Sequence, residues 1–185
     1  MKVDIYNTNR KYSIIYADPP WSYKNIPAKK GTSRGFAKNY YDLMSIEELK
    51  QIDINKISED NAVLFMWATF PMIQEALETI NNWGFKYRTC AFVWVKKNKK
   101  SDSNFWGCGY YTRSNVEICL LAIKGKILER KSHSVHQIIE SKVEEHSKKP
   151  DIVRDKIIEL FGDLPRIELF ARQTAEGWDC WGDEV

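Results

Sequence analysis

Short apolar runs and segments of helical spacing take turns along this chain. Residues 12–17 (YSIIYA) form a β-branched apolar run that stops at Asp18-Pro19-Pro20, the pattern of a buried strand ending in a stiff loop. Residues 22–44 are polar and rich in Gly, Lys and Tyr, which predicts a long loop ordered by a ligand or by docking on the core. Ser45 and Glu48 stand at capping-box spacing and mark a helix start, and residues 62–68 (AVLFMWA) read as a second buried strand. Pro71 and Gly84 bracket a helix over 72–83, residues 85–95 are strand-like, and 96–114 form another long polar loop. Residues 116–123 predict a further buried strand ending at Gly125. Residues 126–147 carry no legible pattern, Pro150 and Gly162 bracket another helix, and 167–170 is the last clear strand.

This alternation predicts an α/β domain with a mainly parallel sheet and helices on both faces, its ligands held where loops leave the strand C-termini. With 185 residues there is room for one domain, taken as 1–185, and hardly for two. No apolar run approaches the ~18 residues of a membrane span, so no membrane association is expected. Residues 1–12 show no signal pattern, which makes the reducing cytoplasm the expected compartment. Cys90, Cys108, Cys119 and Cys180 are scattered, without a CxxC pair or a histidine at ligand spacing, and read as buried free thiols. His133, His136 and His146 complete no ligand set, so no metal is implied. The net charge of +3 permits contact with a phosphate backbone without demanding it.

The chemistry concentrates at Asp18-Pro19-Pro20-Trp21, directly after a buried strand. An amine attached to an aromatic ring is a poor nucleophile, because its lone pair is spread into the ring. A carboxylate at Asp18 can accept a hydrogen bond from such an amine and hold its nitrogen in line with an electrophile. The prolines stiffen the loop and, lacking N–H groups, leave carbonyls to accept the amine's other hydrogen. Trp21 offers a flat face for an extruded base. A plain strand-ending turn would have the same local look.

The remaining landmarks carry a resemblance. ADPPW at 17–21, YYDLMS at 40–45, LFMW at 64–67, VWVKKN at 93–98, GYYTRSNVEICLLAIKG at 109–125, HSKKP at 146–150, IELFAR at 167–172 and GWDCWGDEV at 177–185 occur in one order. The chain thereby resembles the MT-A70 family, named for a subunit of the eukaryotic mRNA adenosine methyltransferase and including small bacterial and phage members. The resemblance runs from about Tyr12 to Val185. It implies a Rossmann-like methyltransferase fold of the permuted type, with the catalytic motif ahead of the main cofactor segments. It also implies methyl transfer from S-adenosylmethionine to the N6 amine of adenine in nucleic acid.

Carried over by residue, the resemblance makes Asp18, Pro19, Pro20 and Trp21 the catalytic tetrad, with Asp18 also bordering the cofactor. Lys149 matches the lysine that grips the cofactor's methionine carboxylate, and a compact ammonium suits that task. Glu168 and Arg172 match a strand-end pair near the ribose. Asp183 and Glu184 stand where relatives carry Asn followed by Gln or Glu, and the aspartate departs from that pattern by offering acceptors only. Tyr41 matches a gate-loop tyrosine near the substrate, although a packed loop aromatic fits it equally. Arg113 and Asn115 are candidate polar contacts on the substrate side.

Lys24, Lys29, Lys30, Arg34 and Lys38 in one loop, and Lys96, Lys97, Lys99 and Lys100 in the other, place positive charge on both sides of the site, which favours phosphate tracking. Lys24 and Lys38 are taken as substrate contacts. Gly107 and Gly109 do not make a dinucleotide loop, because Thr112 stands at the third glycine position. Trp67 and Trp94 read as core. DNA is favoured over RNA, by analogy, because the chain reads as a compact single domain without the appended RNA-binding modules of mRNA-modifying relatives. A homodimer or a partner methyltransferase subunit fits so small a chain. The rival readings are a catalytically silent nucleic-acid-binding subunit, an RNA adenosine methyltransferase, and a small-molecule methyltransferase that would leave the lysine loops without a purpose.

Overall fold

A computed structural model describes residues 1–22, 43–145 and 148–185. The chain forms β1 (Tyr12–Ala17), α1 (Ile46–Gln51), β2 (Ser58–Ala68), α2 (Ile73–Asn82), β3 (Lys86–Lys97), β4 (Val116–Lys124), β5 (Ile138–Lys142), α3 (Ile152–Phe161), β6 (Arg166–Leu169) and β7 (Asp179–Trp181). The strands make one sheet in the order β5-β3-β4-β2-β1-β6-β7. β1 pairs in parallel with β2 and β6, β6 with β7, and β3 with β5. β4 runs antiparallel to both of its neighbours, so it alone among these strands points the other way. The sheet is mainly parallel, as the alternation of elements predicts.

Successive side chains on a strand face opposite sides, and β1 divides accordingly. Ile15 and Ala17 join a core with Leu64, Met66 and Leu120, covered by Leu49 of α1 and by Ala76 and Ile80 of α2. Ile14 and Tyr16 join the opposite core with Val63, Phe65 and Trp67, covered by Val153 and Ile157 of α3. Helices therefore cover both faces. Trp67 and Trp94 are buried, as expected of core residues.

Helix boundaries follow the expected signals. Ser45 Oγ accepts from the Glu48 N–H while Glu48 returns a bond to the Ser45 N–H, closing the capping box of α1. Pro71 lies in a 3-10 turn, Phe70–Met72, that leads into α2. Gly162 ends α3 at φ +76°, a conformation that glycine adopts without steric cost. Three expectations change. β3 extends through Lys97, so Lys96 and Lys97 belong to a strand and not to a loop. β5 emerges from the stretch without a legible pattern, and β7 follows the strand expected to be last. Both are edge strands with one buried residue each, so neither needs an apolar run.

Of the cysteines, Cys119 and Cys180 are buried and Cys90 is half-buried, but Cys108 is exposed, because it lies in the projecting segment between β3 and β4. Among the described residues no helix is long and apolar enough to cross a membrane.

Candidate functional site

β1 lies between β2 and β6, so Asp18 leaves the sheet near its middle, at the edge where the parallel strands end. The Asp18 N–H still donates to Leu169 O at 3.4 Å, and the chain then turns sharply, with Trp21 N–H donating to Pro19 O at 2.9 Å. Met44 N–H donates to Pro20 O at 2.9 Å. Both proline carbonyls are thus already engaged, which corrects the expectation that they stand free. Each keeps only its second lone pair.

Trp21 is also corrected. Its indole is 5% exposed within the core, and its ring N–H donates to Trp67 O at 3.1 Å. That ring anchors the loop and offers no open face to a base. The Trp67 ring N–H in turn donates to Tyr16 Oη at 2.7 Å.

Lys149 lies three residues before the start of α3, whose packing beside β1 brings the lysine over the strand end. Its ammonium donates to Asp18 Oδ2 at 2.7 Å, lies 3.4 Å from Glu117 Oε2, and sits 5.8 Å from the Trp67 ring centre. Glu117 is one residue inside β4, and its other oxygen accepts from Lys96. Two cations and two carboxylates therefore interlock at the sheet edge. Burial pushes the Asp18 carboxyl above its ordinary pKa, and Lys149 offsets this only in part. Burial would raise Glu117 too, but Lys149 and Lys96 together hold it below the usual glutamate value.

Further along α3, Arg154 clasps Glu168 of β6 with two bonds, Nε to Oε2 at 2.6 Å and Nη2 to Oε1 at 3.1 Å. Burial raises the Glu168 pKa despite this arginine. Arg172 Nε donates to Glu184 Oε1 at 2.8 Å. Glu168 and Arg172 thus hold separate partners at the strand end, because Arg154 reaches Glu168 from the helix above. Phe170, between them, takes the left-handed φ of +59°, a costly conformation for a bulky residue that tends to cluster at functional sites.

One cleft is lined by Asp18, Lys149, Glu168, Phe170, Arg172 and Glu184. Five of the six residues expected around a cofactor meet there. Asp183 is exposed beside it and does not line it. Arg113 is exposed with its guanidinium 4.7 Å from the Trp106 ring centre, and Asn115 accepts the Lys96 N–H through its backbone carbonyl at 2.9 Å; neither lines the cleft. Lys96 is tied to Glu117, and Lys97 lies 3.3 Å from Glu140, which leaves Lys99 and Lys100 as the exposed lysines of that group. Tyr41, Lys24, Lys29, Lys30, Arg34 and Lys38 lie outside the described residues.

Sequence reasoning missed Glu117, Arg154 and Lys96 as members of this network. A glutamate inside the apolar run VEICLLAI was the available signal, since a charge there must find a partner.

The fold is that of a Rossmann-like α/β methyltransferase, with its cleft at the strand C-termini. Residues 12–184 match the MT-A70 family model, and the chain belongs to that family. It is 37% identical over 190 residues to the type II methyltransferase M.MunI of Mycoplasma sp, covering 95% of this chain and 78% of that protein. It is 27% identical over 179 residues to the human N(6)-adenosine-methyltransferase catalytic subunit METTL3, covering 95% of this chain and 28% of that protein. An Arabidopsis thaliana N(6)-adenosine-methyltransferase MT-A70-like protein is 26% identical over 188 residues, of which this chain spans 25%. The chain thus spans most of the Mycoplasma protein and about a quarter of the plant and human ones.

Proposed function

We propose that this protein transfers a methyl group from S-adenosylmethionine to the N6 amine of adenine in nucleic acid, with DNA favoured over RNA. The placement of Asp18 carries this reading. Its carboxylate stands at the strand end beside the cleft, Oδ2 is held by Lys149, and Oδ1 takes no bond among the described residues. An oxygen so placed can accept from an amine.

The cleft suits the cofactor's chemistry. Lys149 and Arg172 provide cations for a carboxylate, while Glu168 and Glu184 provide acceptors for ribose hydroxyls and an adenine amine. S-adenosylmethionine, when bound, supplies a methyl group made electrophilic by its sulfonium. Asp18 Oδ1 accepts one hydrogen of the adenine amine and aims the nitrogen at that methyl. The second lone pair of a proline carbonyl accepts the other hydrogen. With the cofactor bound, the S–CH3 bond would break as N–C forms, leaving a neutral thioether, and the proton then lost from the nitrogen could go to the Asp18 carboxylate, whose pKa burial raises.

Trp21 serves as the anchor of the loop, and Asp183 borders the ribose from outside the cleft. Tyr41, Lys24, Lys38, Arg113 and Asn115 are assigned to the substrate strand. The chain shares more identity with the type II methyltransferase, and spans more of it, than with the adenosine methyltransferases, which supports DNA. A second copy or a partner methyltransferase subunit remains compatible with this reading, as does a compartment in which the thiols stay reduced.

Incubation with isotopically labelled S-adenosylmethionine and matched DNA and RNA oligonucleotides tests the proposal. Label recovered as N6-methyladenine, with more in DNA, is the expected result. Label in neither polymer would contradict it.

A further inference from the structure

The segment between β3 and β4 leaves the sheet at the same edge as Asp18. β1 and β2 run together, β4 opposes β2, and β3 opposes β4, so β3 ends where β1 ends. Near the tip of this segment, Trp106, Tyr110 and Tyr111 are 71%, 93% and 93% exposed. Tyr110 and Tyr111 meet edge to face at 4.9 Å, and the Arg113 guanidinium lies over Trp106. Three large rings held in water at one place are costly for a chain that could have buried them or done without them.

The segment is built to hold this shape. Asn98 Nδ2 donates to Ser103 Oγ at 2.8 Å and to Asn104 O at 3.0 Å, and Phe105 N–H donates to Lys96 O at 2.8 Å. A Cβ at Gly107 would sit 1.8 Å from Ser114 O, and one at Gly109 would sit 2.0 Å from Thr112 O. The two arms press together so closely that only glycine fits at these positions, which explains the glycines without a phosphate loop.

Charge selects the kind of partner. Arg113 is exposed beside Trp106, Lys99 and Lys100 are exposed earlier in the same segment, and the acid of the segment, Asp102, lies 3.3 Å from Lys142. Aromatic faces interleaved with solvated cations fit unpaired bases on a phosphate backbone, whereas the centre of a protein interface is depleted in charge.

We propose that Trp106, Tyr110 and Tyr111 form a stacking finger that takes unpaired bases of the substrate strand, with Lys99, Lys100 and Arg113 on its phosphates. The inference rests on the nucleic-acid substrate proposed above. It adds the contact that selects a single-stranded or locally opened segment, since stacking needs a base whose face is free.

The test is fluorescence anisotropy of a labelled single-stranded oligonucleotide with the full chain, without cofactor, alongside the methyl-transfer assay. The combined change Trp106→Ala with Tyr111→Ala raises the oligonucleotide Kd about tenfold or more, because each stacked base contributes on that scale. Tyr110→Phe with Tyr111→Phe keeps the affinity, since the ring planes remain, and Tyr111→Leu does not restore it. The intact chain binds the single strand more tightly than the matched duplex.

Unchanged Kd in the alanine variant would overturn the finger, even if the intact chain methylates the oligonucleotide. Ring-dependent binding without methylation would leave the finger standing and contradict the proposed activity. Sedimentation that shows a dimer in the intact chain and a monomer in the alanine variant, with equal oligonucleotide Kd, would assign the rings to a second copy and overturn the proposal.

Discussion

Lys149 donates to Asp18 across 131 positions of sequence at 2.7 Å, and the same ammonium lies 3.4 Å from Glu117. One cation thereby holds two carboxylates at the sheet edge, where like charges would otherwise repel in a poorly solvated site. That lysine opposes the burial that raises the Asp18 pKa.

Titration should expose this dependence. Asp18's folded pKa lies above the ordinary value, so its ionisation subtracts stability as pH rises from the ordinary aspartate range through the folded pKa. Glu117 has the opposite sign: its folded pKa is lowered, so it contributes stability above the ordinary glutamate value and loses it as pH falls through the folded one. Lys149→Met should move both carboxyl titrations to higher pH, followed by carboxyl carbon NMR. Titrations that stay in place would show that the lysine does not set them.

Arg154 and Glu168 make a test of pairing against packing. Arg154→Met leaves a buried carboxylate without its two bonds and should destabilise folding by about 3 kcal/mol in denaturant unfolding. Adding Glu168→Leu should recover most of that loss, because the cost comes from the stranded charge. A double variant no more stable than Arg154→Met would contradict this.

Trp21 should behave as an anchor. Trp21→Phe removes the N–H that donates to Trp67 O and should cost about 1–2 kcal/mol of stability, while leaving cofactor affinity near that of the intact chain by calorimetry. A folded Trp21→Leu protein with a large rise in the KM for nucleic acid, where Trp21→Phe shows none, would instead restore the stacking role.

Much of the architecture was legible because buried strands need apolar runs and helix ends need particular residues. Residues 12–17 and 62–68 announce the sheet centre by composition alone, and Pro71, Gly84, Pro150 and Gly162 punctuate the helices on either side. The edge strands β5 and β7 left no such mark, since one buried residue each suffices there. Within the site, the MT-A70 resemblance placed Asp18, Lys149, Glu168, Arg172 and Glu184 together, and they line one cleft. Which acid meets which base could not be read from the linear order. Arg154 meets Glu168 through the way α3 lies against β6, a tertiary fact without a local signature.

Single-turnover methyl transfer by Asp18→Ala, with cofactor affinity measured beside it, tests the central claim most directly. Loss of a preorganised hydrogen-bonding group at the reacting atom should slow transfer by roughly a hundredfold or more. Binding of S-adenosylmethionine should persist, because Lys149, Glu168, Arg172 and Glu184 remain. Transfer at the full rate by the alanine variant would contradict the assignment of Asp18 as the group that aims the amine.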